Sequence, residues 1–155
     1  MNRPPHWDEN KTLEFVSFIA GEQSFCIEIT QIREIRRWTP VTALPHADKA
    51  VLGVINLRGA VIPIVDLTDQ LSLGESKPTE RHVVIVVTLG DQTGGLLVDA
   101  VSEILAIDVE SICDAPAISR GTSGDCILGL VSVDDEMSRI LALETILPQA
   151  LDDAA

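Results

Sequence analysis

The chain has no tyrosine and only 3% aromatic residues, so its core must be aliphatic, built from Val, Ile and Leu. Lysine is nearly as scarce: Lys11, Lys49 and Lys77 are the only three, and none follows a glycine. That excludes a P-loop, which needs a Gly-Lys pair to cradle and neutralise phosphates. No GxGxxG run is present either, so a dinucleotide loop has no footing. The three cysteines (Cys26, Cys113, Cys126) are odd in number and lack CxxC spacing, which points to neither a disulfide framework nor a zinc site. No apolar stretch approaches the roughly 18 residues of a membrane span, and no charged-then-apolar start resembles a signal peptide. The expected compartment is the cytoplasm. A formal net charge of −13 argues against nucleic acid and against insertion at an anionic membrane, and favours a partner with a basic face.

What is present is a β-branched, 46% hydrophobic chain of 155 residues, enough for one domain or two small subdomains sharing a core. Residues 1–12 carry Pro4-Pro5 and Trp7 without periodicity and read as a mobile tail. Glu14 to Ala20 and Gln23 to Ile29 read as a hairpin around Gly21-Glu22. Thr30 to Ile35 fits a helical turn or a short strand, and Arg36-Arg37-Trp38-Thr39-Pro40 breaks the pattern. Gly53 to Leu67 then reads as two apolar strands joined by a tight turn, buried on both faces. Gly59 supplies the positive φ of that turn, and Pro63 suggests an edge position or a bulge. Thr68 to Leu73 is expected to be a brief helix. The polar stretch around 74–80, with Pro78, is the expected join between two halves. His82 to Leu89 turns at Gly90-Asp91 into Thr93 to Asp99, and Val101 to Ile107 continues extended. A loop with Pro116 and Gly121 to Gly124 precedes a last pair, Cys126 to Val133 and Ser138 to Leu143. A short C-terminal helix and a tail over 152–155 close the chain. About ten short strands at hairpin spacing predict an all-β barrel or sandwich, and no clean sequence repeat is visible.

Little catalytic chemistry survives inspection. His6, His46 and His82 have no carboxylate or cysteine at a metal-ligating spacing. Asp66 and Asp99 each follow an apolar run and could form a catalytic pair. The preferred reading is that each ends a strand and accepts backbone N–H groups, because no nucleophile or base has a place beside them. Gly94-Gly95 suggests a close backbone approach or a bulge. Binding is better supported. Ile32 to Trp38 holds three arginines and a tryptophan in an acidic chain, and Ile32 facing out beside Glu34 would make an apolar contact ringed by charge. A solvated Glu–Arg surface is the plainer alternative.

The run Asn56-Leu57-Arg58-Gly59 through Asp66-Leu67, with Glu34-Ile35 upstream and Val98-Asp99-Ala100-Val101 downstream, closely resembles the CheW family of bacterial chemotaxis adaptors. The resemblance spans about Glu14 to Leu147. It implies an all-β fold of two five-stranded SH3-like barrels sharing an apolar core, here over residues 13–151, with short helices at the joins and C-terminus. It implies no enzymatic activity and no cofactor or metal. The implied function is a scaffold that couples chemoreceptors to the histidine kinase CheA, recruited to membrane-associated receptor arrays. The positions matching the receptor groove are Ile32, Glu34, Arg58, Val83 and Ile104. In that setting Ile32, Val83 and Ile104 would form a trough for an amphipathic helix, with Glu34 and Arg58 fixing register. From the residues alone, ordinary core is the preferred reading of Val83 and Ile104. Ile118, apolar in a small polar loop, is the expected kinase or ring contact, beside the main contact with the CheA regulatory domain. Phe25 stands where the family usually carries an aromatic, followed by Cys26 where a glycine or alanine is common. Arg36-Arg37-Trp38 is bulkier and more basic than the family pattern and would tune receptor choice. The alternatives are a detached CheA-like regulatory domain and a small-ligand-binding or hydrolytic barrel with Asp66 and Asp99 at its mouth.

Overall fold

In the computed structural model, which describes residues 3–45, 47–114 and 126–147, β-branched runs of six to nine residues form ten strands. They are β1 (Thr12–Ala20), β2 (Gln23–Glu28), β3 (Ile32–Arg37), β4 (Val51–Leu57), β5 (Ala60–Asp66), β6 (Val83–Leu89), β7 (Gln92–Val98), β8 (Ala100–Asp108), β9 (Ile127–Val133) and β10 (Glu136–Leu141). Two short helices, α1 (Leu67–Gln70) and α2 (Leu143–Ile146), follow β5 and β10. The strands make two five-stranded sheets, ordered β8-β1-β2-β10-β9 and β3-β6-β7-β5-β4. Each is one SH3-like barrel.

The chain begins in the first barrel, builds all of the second, and returns. It crosses over at the 3₁₀ turn Ile29–Gln31 and again at Asp99. The expected join at 74–80 is therefore corrected: those residues connect α1 to β6 inside the second barrel. A polar, proline-bearing stretch marks a surface loop, while the true crossings are too short to change composition.

Three apolar clusters follow from the alternation of the strands. Trp7, Phe15, Cys26, Ile107, Val131 and Ile140 fill the first barrel. Leu57, Ile62, Ile64, Val84, Val86 and Leu97 fill the second. Between them lies a shared core in which Phe18, Phe25 and Ile27 of one barrel meet Val65, Ile85, Val87 and Leu96 of the other. Phe18 and Phe25 stack there with centroids 6.0 Å apart.

The two pairing patterns are the same. Each sheet is closed by one parallel pair, β10 with β2 and β5 with β7. Each outer hairpin has the same bulge, with Leu52 the extra residue between Val51 and Gly53 in one barrel and Leu128 between Ile127 and Gly129 in the other. The residue after each glycine makes an isolated two-bond bridge, Val54 with Thr42 and Leu130 with Cys113. Matching partners across the ladders aligns 51–71 with 127–147, bringing Leu52, Gly53, Ile64, Leu67 and Leu71 onto Leu128, Gly129, Ile140, Leu143 and Leu147. The hairpin β1–β2 occupies in its sheet the place of β6–β7. The repeat is circularly permuted, which hides it from a linear reading.

Three further expectations change. The N-terminal segment, expected as a free tail, packs against the first barrel from Arg3 onward. Trp7 is 6% exposed and meets Phe15 edge-on. Its indole N–H donates to the buried Glu28 carboxylate, and His6 Nε2 lies 2.7 Å from the same group. Arg3 donates to the Ile112 carbonyl at 2.7 Å. A single buried indole outweighs the polar composition around it. Pro63 sits in an interior strand, but the β5–β7 ladder starts only at Ile64, so at Pro63 itself the missing N–H costs no ladder bond. Arg36 and Arg37 continue β3 instead of breaking it. Gly94-Gly95 is the close approach expected: a Cβ at Gly95 would lie 2.6 Å from Ile64 Cδ1, and one at Gly94 2.7 Å from Leu147 Cδ2.

Two outcomes follow from this packing. A Cβ at Gly129 would sit 2.7 Å from Ile112 and 2.9 Å from the Cys113 carbonyl, and one at Gly53 2.4 Å from the Thr42 carbonyl. Gly129→Ala and Gly53→Ala are each expected to lower stability by about 1–3 kcal/mol in urea unfolding, as overpacking does. Burial pushes the Cys26 thiol up to about 12, partly opposed by a hydrogen bond from Ser138. Unfolding would release that thiol to ionise near its ordinary value of 9.0. The folded state therefore loses stability as pH rises from that value towards the folded one. In the native protein the exposed Cys113 should react with a chromogenic disulfide at pH 8 while Cys26 reacts only on unfolding.

Candidate functional site

Strand β3 is an outer strand of its sheet, and its sequence Ile-Arg-Glu-Ile-Arg-Arg forms it around a bulge. Ile32 pairs with Val87 and Glu34 with the adjacent Val86, leaving Arg33 as the extra residue. The bulge turns Ile32 and Glu34 to opposite faces, which corrects the expectation that they stand side by side. Ile32 packs against the shared core, half-buried. Glu34 lies on the other face with Arg36, on the side of the second barrel's own core.

Arg58 reaches Glu34 from across the barrel. It forms, with Gly59, a two-residue turn between β4 and β5 in which both residues are left-handed, φ 51° and 89°. That geometry matches the twist of the flanking strands. The Asn56 side chain accepts the Gly59 N–H at 3.0 Å and fixes the loop. The Arg58 guanidinium donates to Glu34 Oε1, while Arg36 Nη1 stands 3.7 Å from Oε2. Arg58 remains 63% exposed, so the pair is presented on the surface, with one carboxylate between two guanidinium groups.

Val83 opens β6 opposite Arg37 and packs half-buried on the shared core, as Ile32 does. Ile104 belongs to the other barrel. It lies on β8, opposite Val16, on the face that carries Phe18 into the shared core, yet it is 58% exposed. The structure therefore joins Glu34 to Arg58 directly and sets Ile32 and Val83 on one rim of the shared core. Ile104 stands on the outer strand of the facing barrel. Ile118 lies outside the described residues, as do His46 and the Gly121–Gly124 loop.

Sequence reading undervalued Ile35. Register places it opposite Ile85 on the shared-core face, and it is 45% exposed. The available signal was its period with Ile29 and Ile32, which suits a buried helical turn as well and so misleads. Val61, 62% exposed beside the Arg58 turn, was hidden inside a uniformly apolar run.

Asp66 and Asp99 behave as strand-ending acceptors. Asp66 takes the Ser76 N–H at 2.8 Å, and Asp99 takes the Gly21 N–H at 3.0 Å. His82 Nε2 lies 3.3 Å from the other Asp99 oxygen. Neither aspartate lines the cavity of about 530 Å³ between the N-terminal segment and Leu89, Leu141 and Leu143. Among the described residues no cluster of His, Cys, Asp and Glu could hold a metal ion, and no helix is long and apolar enough to cross a membrane.

A family model described as the CheW-like domain matches residues 14–151. A probable chemotaxis protein CheW of Rhizobium etli is 44% identical over 142 residues, 92% of each chain. The chemotaxis protein CheW of Klebsiella aerogenes is 31% identical over 86% of this chain and 81% of its own. The crystal structure of the scaffolding protein TtCheW from Thermoanaerobacter tengcongensis superposes with a TM-score of 0.78 at 28% identity, covering 92% of this chain and 91% of that one.

Because Arg58 is exposed and its ion pair is solvent-screened, Arg58→Ala should change unfolding free energy by less than about 1 kcal/mol. A larger loss in urea denaturation would make the pair a structural brace.

Proposed function

The chain belongs to the CheW family, and from that premise we propose that it couples chemoreceptors to the histidine kinase CheA in a receptor array. The family is one of non-enzymatic chemotaxis scaffolds. The finer reading is that a helical tip of the receptor lies between the barrels, against Ile32, Val83 and Ile104, while Glu34 and Arg58 set its register. The observation that carries this is the exposed Glu34–Arg58 pair at an outer strand whose neighbours Ile35 and Val61 are apolar and uncovered. Charge beside exposed apolar surface suits an amphipathic helix. The barrels would act by position. Holding kinase and receptor together turns a bimolecular encounter into an intramolecular one and lets a shift in one bias the other. The kinase would dock through its regulatory domain, with Ile118 a candidate for a further ring contact. The working location is the cytoplasm beside the membrane-bound array. Arg36-Arg37-Trp38, adjoining the groove, would select among receptors.

Co-sedimentation with receptor signalling-tip assemblies, with and without CheA, while following ATP-dependent kinase phosphorylation, tests the reading. Co-pelleting with raised phosphorylation is expected. Arg58→Ala and Glu34→Ala should each weaken receptor-dependent control by about tenfold or more while leaving the melting temperature within a few degrees. A well-folded protein that pellets with neither partner would overturn the proposal.

A further inference from the structure

The permuted repeat sets the outer strand β8 on β3 residue by residue. Ile32 opposite Val87 matches Val101 opposite Phe18, and the bulged Arg33 matches Ser102. Glu34 opposite Val86 then matches Glu103 opposite Ser17, and Ile35 matches Ile104. Both outer strands thus carry a bulge followed by Glu-Ile, and in both the isoleucine is exposed, 45% and 58%.

The equivalence breaks in charge. The turn residues Arg58-Gly59 correspond to Asp134-Asp135, and Arg36 corresponds to Leu105. Where Glu34 is held between two arginines, Glu103 has an acidic turn and a leucine in the matching places. Among the described residues no cation pairs with its carboxylate, and the side chain is exposed. Its backbone is nonetheless fixed. The Ser17 hydroxyl, on a residue 4% exposed, accepts the Glu103 N–H at 3.2 Å and donates to its carbonyl at 3.3 Å. Val86, the counterpart of Ser17, has no such group. A buried hydroxyl is thus committed to holding one bulge, and that bulge sets an unneutralised carboxylate on an outer strand next to an uncovered isoleucine that points to the other face.

We propose that Glu103 is a second register-setting contact of the receptor groove, paired with a lysine or arginine that the partner helix carries beside the apolar side chain seated on Ile104. This rests on the receptor reading of the groove. Glu34 comes with its own counter-charges, so it reads a partner by competition. Glu103 brings none and demands a cation from outside, a requirement that discriminates among helices of equal apolar character.

The test uses the full chain and receptor signalling-tip assemblies, with binding measured by co-sedimentation at low salt and again near 0.5 M NaCl. Glu103→Gln is expected to weaken binding about fivefold and Glu103→Lys more than about tenfold at low salt, with both deficits shrinking at high salt because screening removes the pair's contribution. Glu110→Gln, which removes an equal exposed charge beyond the far end of β8, should bind as the parent does, and Glu103→Gln should melt with the parent. If the parent itself fails to pellet, the receptor reading falls. If the parent pellets and Glu103→Gln matches it, or Glu110→Gln weakens binding as much, the role assigned to Glu103 is overturned.

Discussion

The shared core is the constraint on which everything else in this molecule depends. Each barrel turns one face of its central strands to its own interior and the other to its neighbour, so neither could bury its apolar surface alone. Phe18 and Phe25, two of the three phenylalanines, are spent on this seam. The chain crosses it twice, at residues 29–31 and at Asp99, and the second crossing is pinned from both sides. Asp99 accepts the Gly21 N–H of the first barrel and faces His82 of the second. A rigid seam with half-buried rims at Ile32, Val83 and Val101 makes the relative placing of two surface strands a fixed quantity. A scaffold needs that property more than it needs any reactive group.

Two barrels of one pattern meeting across such a seam could have presented identical edges, and they do not. The bulge and the Glu-Ile pair are kept in both, while the facing turn is cationic in one and anionic in the other. Backbone pairing is set by alternation and by the two bridged glycines, which tolerate no side chain. Turn tips are free of those demands, so they can diverge in charge at little cost to the fold. The divergence is what distinguishes the two outer strands.

Much of this was legible in the residues. Apolar runs, some alternating and some continuous, bounded by turn residues located nearly every strand, and the aspartates at 66 and 99 were correctly read as strand ends because no partner chemistry adjoined them. Arg58 stood out as a charge between two apolar strands, and resemblance set it in one groove with Glu34, but nothing in the residues showed that these two, 24 positions apart, pair with each other. Three things were illegible for physical reasons. Trp7 lies in a segment without periodicity, and a single buried side chain leaves no pattern. The bulge at Arg33 flips one residue without altering composition, so Ile32 was placed on the wrong face. The repeat was invisible because its second copy is split between the two ends of the chain, and only the ladders show that β1–β2 completes what β8–β10 begins.

The lack of tyrosine has an optical consequence. Trp7 belongs to the interior of the first barrel, and Trp38 packs against that of the second. Ultraviolet emission from the native chain therefore comes from one indole per barrel, with no phenol background. Replacing either by phenylalanine leaves a molecule whose fluorescence reports on the other barrel alone. The sequence thus carries its own pair of spectroscopic labels, one on each side of the seam.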